Sequence, residues 1–263
     1  MKPYAAILSV RFRMLLQYRA AAFAGFTTQI FWGLIRLMIF EAFYRSSNAP
    51  EPMTLSQVAT YIWLSQAAFA LLPSWVEADA RAAMRTGTVA YELLRPLDLY
   101  GFWFFRSLAA RTAPTVLRSI PLVVLAWLFF GLSLPASPAA GMAWAAAMVA
   151  AALLSSAIVT LMTISMLWTI AGEGVAQLIG VGVWLFSGIL IPLPFFPDWL
   201  QPLLNVLPFR GLLDVPFRIY SGHIPPSAIL LNLGGVVLWT VVLVFAGRLA
   251  MARGVRRLVV QGG

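Results

Sequence analysis

The side chains able to do chemistry are few. Histidine occurs once, as His223 in a Gly-His-Ile-Pro-Pro turn, lysine occurs once, as Lys2, and cysteine does not occur. One histidine without cysteine cannot build an ordinary zinc site, which draws several nitrogen or sulfur ligands together. A Ser-His dyad would have to recruit His223 from its loop. A phosphate-binding loop of the form GxxxxGK[ST] needs a lysine that reaches the phosphates, and Lys2 has no glycines before it. Gly172-Glu173-Gly174 and Gly180-Val181-Gly182 lack the third glycine of a dinucleotide fingerprint, and no strand precedes them. Gly180 and Gly182 suit close helix packing, whereas Gly172 and Gly174 mark a turn. Any energy source must therefore come from a partner.

Polar side chains inside apolar segments are the next candidates. Arg36 and Glu41 fall in the first long apolar stretch, five residues apart, a poor spacing for a same-helix pair. An ionisable residue at such a depth is a functional candidate, although both can also snorkel outward. Gln66, Thr160, Thr163, Gln177 and Ser187 either line a path or bond between helices. No series of carboxylates or histidines crosses the apolar stretches, so a proton-driven carrier has no evident relay.

These residues need elements to hold them, and the composition says which. Of 263 residues, 61% are hydrophobic and 10% charged, against about 45–50% and about 25% in a soluble domain. So little charge cannot clothe a soluble globule, and lipid is the solvent that accepts the rest. The fold class is then all-α: a polytopic bundle, because lipid offers backbone groups no partners outside their own segment. Crossing takes about 20 mostly apolar residues. Six stretches qualify, over 21–43, 55–75, 114–134, 139–170, 175–191 and 227–250.

Net charge is +9, but apolar spans leave no room for a basic nucleic-acid-binding domain. The basic residues instead orient the spans. Fourteen of the 18 fall in the N-terminal segment, the connection between the second and third spans counted through Arg118 at the mouth of the third, and the C-terminal tail. Six spans put these three regions on one side. The opposite side holds only Arg45, Arg210 and Arg218. Both termini are therefore expected in the cytoplasm of a cell-membrane protein. No cleavable signal peptide is expected, because Arg11, Arg13 and Arg19 interrupt the first 20 residues. Those residues read as an interfacial helix, with Tyr4, Leu8, Phe12, Leu15 and Leu16 to one side.

Two segments are not simple spans. In the connection over 76–112, Glu77 to Arg85 has a helical pattern with Arg81 four residues after Glu77. Thr86-Gly87-Thr88 breaks it. Val89 to Arg95, including Glu92, Leu93 and Leu94, can form a second short helix that Pro96 stops. Phe102 to Phe105 with Arg106 look like an anchor at the membrane surface. The segment over 190–212 is apolar yet carries Pro192, Pro194, Pro197, Pro202 and Pro208, so it cannot be one straight span. It reads as a re-entrant or interfacial hairpin on the outer side, with Trp199 and Phe209 as aromatic anchors.

Here the chain resembles the membrane subunit of ABC-2 type transporters, the permease group of this length found with a second permease and a separate ATPase. The likeness covers most of the chain. It rests on the Gly87…Leu93-Leu94-Arg95-Pro96-Leu97 string, the Ser187-Gly188…Pro192…Pro197…Leu207-Pro208-Phe209 string, and the pattern of spans. The resemblance implies a single permease domain over 1–263. It implies two permease chains around a path for a small molecule, lipid or saccharide. It also implies ATP and Mg on the partner ATPase, with no cofactor in this chain. Residues 77–97, including Arg81, Arg85, Gly87, Glu92, Leu93, Leu94, Arg95 and Pro96, would receive the ATPase. A secondary carrier or an intramembrane enzyme without an ATPase is the alternative; the enzyme should show a histidine or carboxylate pair at one depth.

Overall fold

The computed structural model describes residues 2–47, 50–94, 96–168 and 173–257. Among these residues every regular element is helical, and there is no strand. In chain order the α-helices are α1 (Lys2–Leu15), α2 (Arg19–Ser46), α3 (Leu55–Ala67), α4 (Ala78–Arg85), α5 (Val89–Leu93) and α6 (Leu99–Phe129). There follow α7 (Pro138–Ser165), α8 (Glu173–Phe186), α9 (Gln201–Val206), α10 (Asp214–Tyr220) and α11 (Pro226–Gly254). Helices α2, α6, α7 and α11 are long and apolar enough to cross a membrane, and α8 is a shorter apolar helix.

Local chemistry fixes where these helices start. Thr54 opens α3 with a reciprocal capping box to Gln57. The Asp98 carboxylate accepts the Gly101 amide at 3.0 Å and opens α6. Ser137 accepts the Ala140 amide at 3.1 Å ahead of Pro138, which supplies a helical φ without needing a donor.

The structure corrects two expected boundaries. The stretch at 55–75 is α3, then a 3₁₀ turn at Phe69–Leu71, then non-helical chain. Of the stretch at 114–134, residues 114–129 are the second half of a longer helix that begins at Leu99 and carries Pro114 and Pro121 inside it, and residues 130–134 lie beyond its end. Pro114 frees the carbonyl four residues back. Beside it, Thr112 and Thr115 donate their hydroxyls back to the Leu108 and Arg111 carbonyls of their own helix at 2.7 Å each. Phe102, Trp103, Phe104 and Arg106 are consequently buried in the first turns of α6, not spread on a surface. They pack with Ala80, Val89, Ile164 and Met251.

The main core surrounds α3, every residue of which from Val58 to Ala67 is buried. Trp63 stacks on Phe130 at 5.0 Å between ring centres and donates its indole N–H to the Phe130 carbonyl at 3.0 Å. Arg111 of α6 closes the segment after α3, donating to the carbonyls of Leu72 at 3.0 Å and Trp75 at 2.8 Å. Helix α6, at 31 residues, is about 46 Å long. It separates two ends of the bundle. At one lie α1, α4 and α5. At the other lies α10, whose Tyr220 carbonyl accepts the Ala136 amide at 3.0 Å.

Candidate functional site

At the first end, α4 and α5 form a short helical hairpin. Gly87 supplies the turn with φ +73°, a conformation that costs residues with a Cβ. The Thr86 hydroxyl bonds back to the Ala82 carbonyl at 2.9 Å and finishes α4. Arg106 is the centre of this end and is 7% exposed. Its Nε donates to Glu77 at 2.6 Å and its Nη1 donates to Glu92 at 3.0 Å. The second Glu92 oxygen accepts the Trp103 indole N–H at 2.7 Å. Arg11 of α1 is hydrogen-bonded to Asp79 and lies 3.6 Å from Glu77. Burial raises the Glu77 carboxyl above its usual pKa, and Arg106 and Arg11 oppose that rise without cancelling it.

The hairpin thus has two faces. Ala80, Val89 and the carboxylates of Glu77 and Glu92 point into the bundle. Arg85, Gly87, Tyr91, Leu93, Leu94 and Pro96 are exposed, Leu94 to 81%; Arg81 is half-exposed. Arg95 lies outside the described residues. A large apolar tip held out by a buried ionic base is a surface suited to a partner.

At the other end, residues 190–212 fold into short pieces: a 3₁₀ turn at Leu193–Phe195 after Pro192, then α9, then a 3₁₀ turn at Pro208–Gly211. The Gln201 amide donates to the carbonyls of Leu193 and Phe196 at 2.9 Å each, folding the segment across Pro197. Trp199 is exposed. The Phe209 ring stacks on Phe186 and fills the space beside Gly182, so Gly182 does serve close packing.

Beneath this lies Asp214, which is 0% exposed. It accepts from Arg218 at 3.1 Å, from the Leu193 amide at 3.3 Å and from the Tyr61 hydroxyl at 3.4 Å. Gly188, at φ +88°, lets Tyr61 in: a Cβ there would stand 1.9 Å from the hydroxyl oxygen. The Ser187 carbonyl accepts the Asp214 amide at 3.2 Å. Arg36 donates to the Ile189 carbonyl, tying α2 to the same turn.

Of the polar residues considered for a path, Ser187 and Arg36 therefore meet at the turn after α8. Thr160 and Thr163 are buried and donate to the Ser156 and Val159 carbonyls of their own helix at 2.7 and 2.8 Å. Gln66 is buried in α3 and Gln177 is exposed on α8. The six do not share one cavity. Sequence reasoning passed over Asp214 and gave Arg106 a surface role. The Asp214–Arg218 spacing of four, inside an apolar run, was the signal for the first.

The family model described as ABC-2 family transporter protein matches residues 30–262. No curated protein matches the chain. The match takes in α3 through α11, the ionic base of the hairpin and the polar tie at Asp214. The chain is thus a multi-pass membrane protein with a transport role, and it belongs to the ABC-2 transporter family.

Proposed function

We propose that this chain is the membrane-spanning permease subunit of an ATP-binding-cassette exporter, driven by a separate ATPase subunit that docks on the α4–α5 hairpin. The observation that carries the reading is the ionic base at Arg106. It joins the hairpin rigidly to the first turns of α6, so displacement of an exposed tip is passed to a helix about 46 Å long. An ATPase binding ATP and Mg would close beneath two permease chains, of the same or homologous sequence, and switch the path between them.

Six spans fit this reading. Helix α3 and its 3₁₀ turn reach about 26 Å, and α8 with the Ser187–Ile191 turn is similar. Helix α3 is buried in protein, whereas α8 turns Leu178, Val181 and Leu185 outward, an apolar face that lipid can cover. Helix α1 lies along the cytoplasmic interface, the termini are cytoplasmic in the inner membrane, and the 190–212 segment is an outer interfacial hairpin. Purification with native partners tests the proposal. Co-isolation of an ATPase whose turnover is lost on replacing Leu93-Leu94-Arg95-Pro96 is expected. A homo-oligomer that works without nucleotide contradicts it.

A further inference from the structure

A cavity of about 650 Å³ opens between the 190–212 segment and α11. Two arginines line it, and they are differently served. Arg218 has a carboxylate, Asp214, at 3.1 Å. Arg210 has none among the described residues: its two terminal nitrogens donate to the neutral side-chain oxygens of Asn205 and Asn232, at 2.6 Å each. Each guanidinium also leaves its Nε without a hydrogen-bond partner. A cation held in a half-apolar setting by dipoles alone is poised for an anion, because pairing recovers desolvation already incurred.

The walls say what carries the anion. Asn232 is six residues into α11, about 9 Å from its start, and Leu238 and Trp239 are about 18–20 Å from it. The cavity is therefore charged near the helix start and apolar deeper along the same helix. Leu231 is 79% exposed on that wall, so the cavity is continuous with the lipid-facing surface of α11. The Trp239 indole N–H is taken by the Val206 carbonyl at 2.8 Å, which leaves its ring as wall.

We infer that this cavity binds a phosphate-bearing anion through Arg210 and Arg218, with the apolar wall along α11 suited to the acyl chains of an anionic phospholipid. The site requires only that the chain spans a bilayer and is independent of ATPase coupling. The test is native mass spectrometry of the full chain offered equal phosphatidylglycerol and phosphatidylcholine, with thermal shift by inorganic phosphate as a second arm. The wild type should retain phosphatidylglycerol preferentially. Arg210→Gln should reduce that preference about tenfold, and Arg210→Lys should reduce it less, since the charge remains without the fork. Arg45→Gln, a basic change outside the cavity, should leave it unchanged. A phosphate shift that Arg210→Gln abolishes, without lipid preference, would identify free anion as the ligand. The inference is overturned if the wild type shows neither effect, or if Arg210→Gln and Arg210→Lys, both folded, keep them.

Discussion

Arg106 Nε lies 2.6 Å from a carboxylate oxygen of Glu77, 29 residues earlier in the chain. Both side chains are buried, and Glu92 completes the set from α5. Buried ion pairs contribute little net stability, but breaking one leaves a charge without a partner. Arg106→Ala should thus destabilise the fold by about 3 kcal/mol, measured as a lowered thermal midpoint in detergent. Replacing Arg85, which is exposed on the same hairpin, should cost under about 0.5 kcal/mol.

Glu77 gives the same site an unusual response to pH. Its carboxyl pKa is raised, chiefly by burial, so the folded chain holds that proton more tightly than the unfolded chain. The stability this group contributes is complete below its unfolded value of 4.5. It is lost as pH rises through the higher folded value. Glu77→Gln removes the titration. The thermal midpoint of wild type relative to Glu77→Gln should rise on acidification from pH 7 toward about pH 5. A difference that stays flat or falls would mean that the arginines, not burial, dominate.

The Gly188–Tyr61 approach predicts a coupled pair. Gly188→Ala places a Cβ 1.9 Å from the Tyr61 hydroxyl, at a φ of +88°. It should destabilise the fold by the left-handed penalty of about 1–2 kcal/mol plus the cost of the clash, read as a lowered thermal midpoint. Tyr61→Phe removes the clashing oxygen but not the backbone penalty. The double variant should therefore be more stable than the sum of the single effects allows. Strict additivity would place Tyr61 elsewhere.

How much of this could be read from residues alone differs by element. Apolar length located α2, α7 and α11, since lipid demands it directly. The start of α6 was hidden because prolines at 114 and 121 usually break helices, and here the helix continues through both. The Thr86-Gly87-Thr88 break was legible because glycine is the residue that takes a positive φ. Arg106 was misread for a different reason. An arginine among four aromatics suits a membrane surface equally well, and only the approach of Glu77, just ahead of α4, and Glu92, in α5, decides against it. Asp214 was missed because its partners Tyr61 and Leu193 come from distant positions.

The cysteine-free sequence allows the orientation to be tested cleanly. Single cysteines at Leu94 and Trp199, both exposed, sit at opposite ends of the bundle. In intact cells, a membrane-impermeant thiol reagent should label Trp199→Cys and spare Leu94→Cys until the membrane is opened. The reverse pattern would invert the orientation.

The same variants test the coupling most directly. With the co-purified ATPase present, Leu94→Cys should form a cross-link to it through a short thiol-to-amine reagent, and Trp199→Cys should not. No cross-link at Leu94, with an ATPase bound and active, would contradict a docking surface on the α4–α5 hairpin.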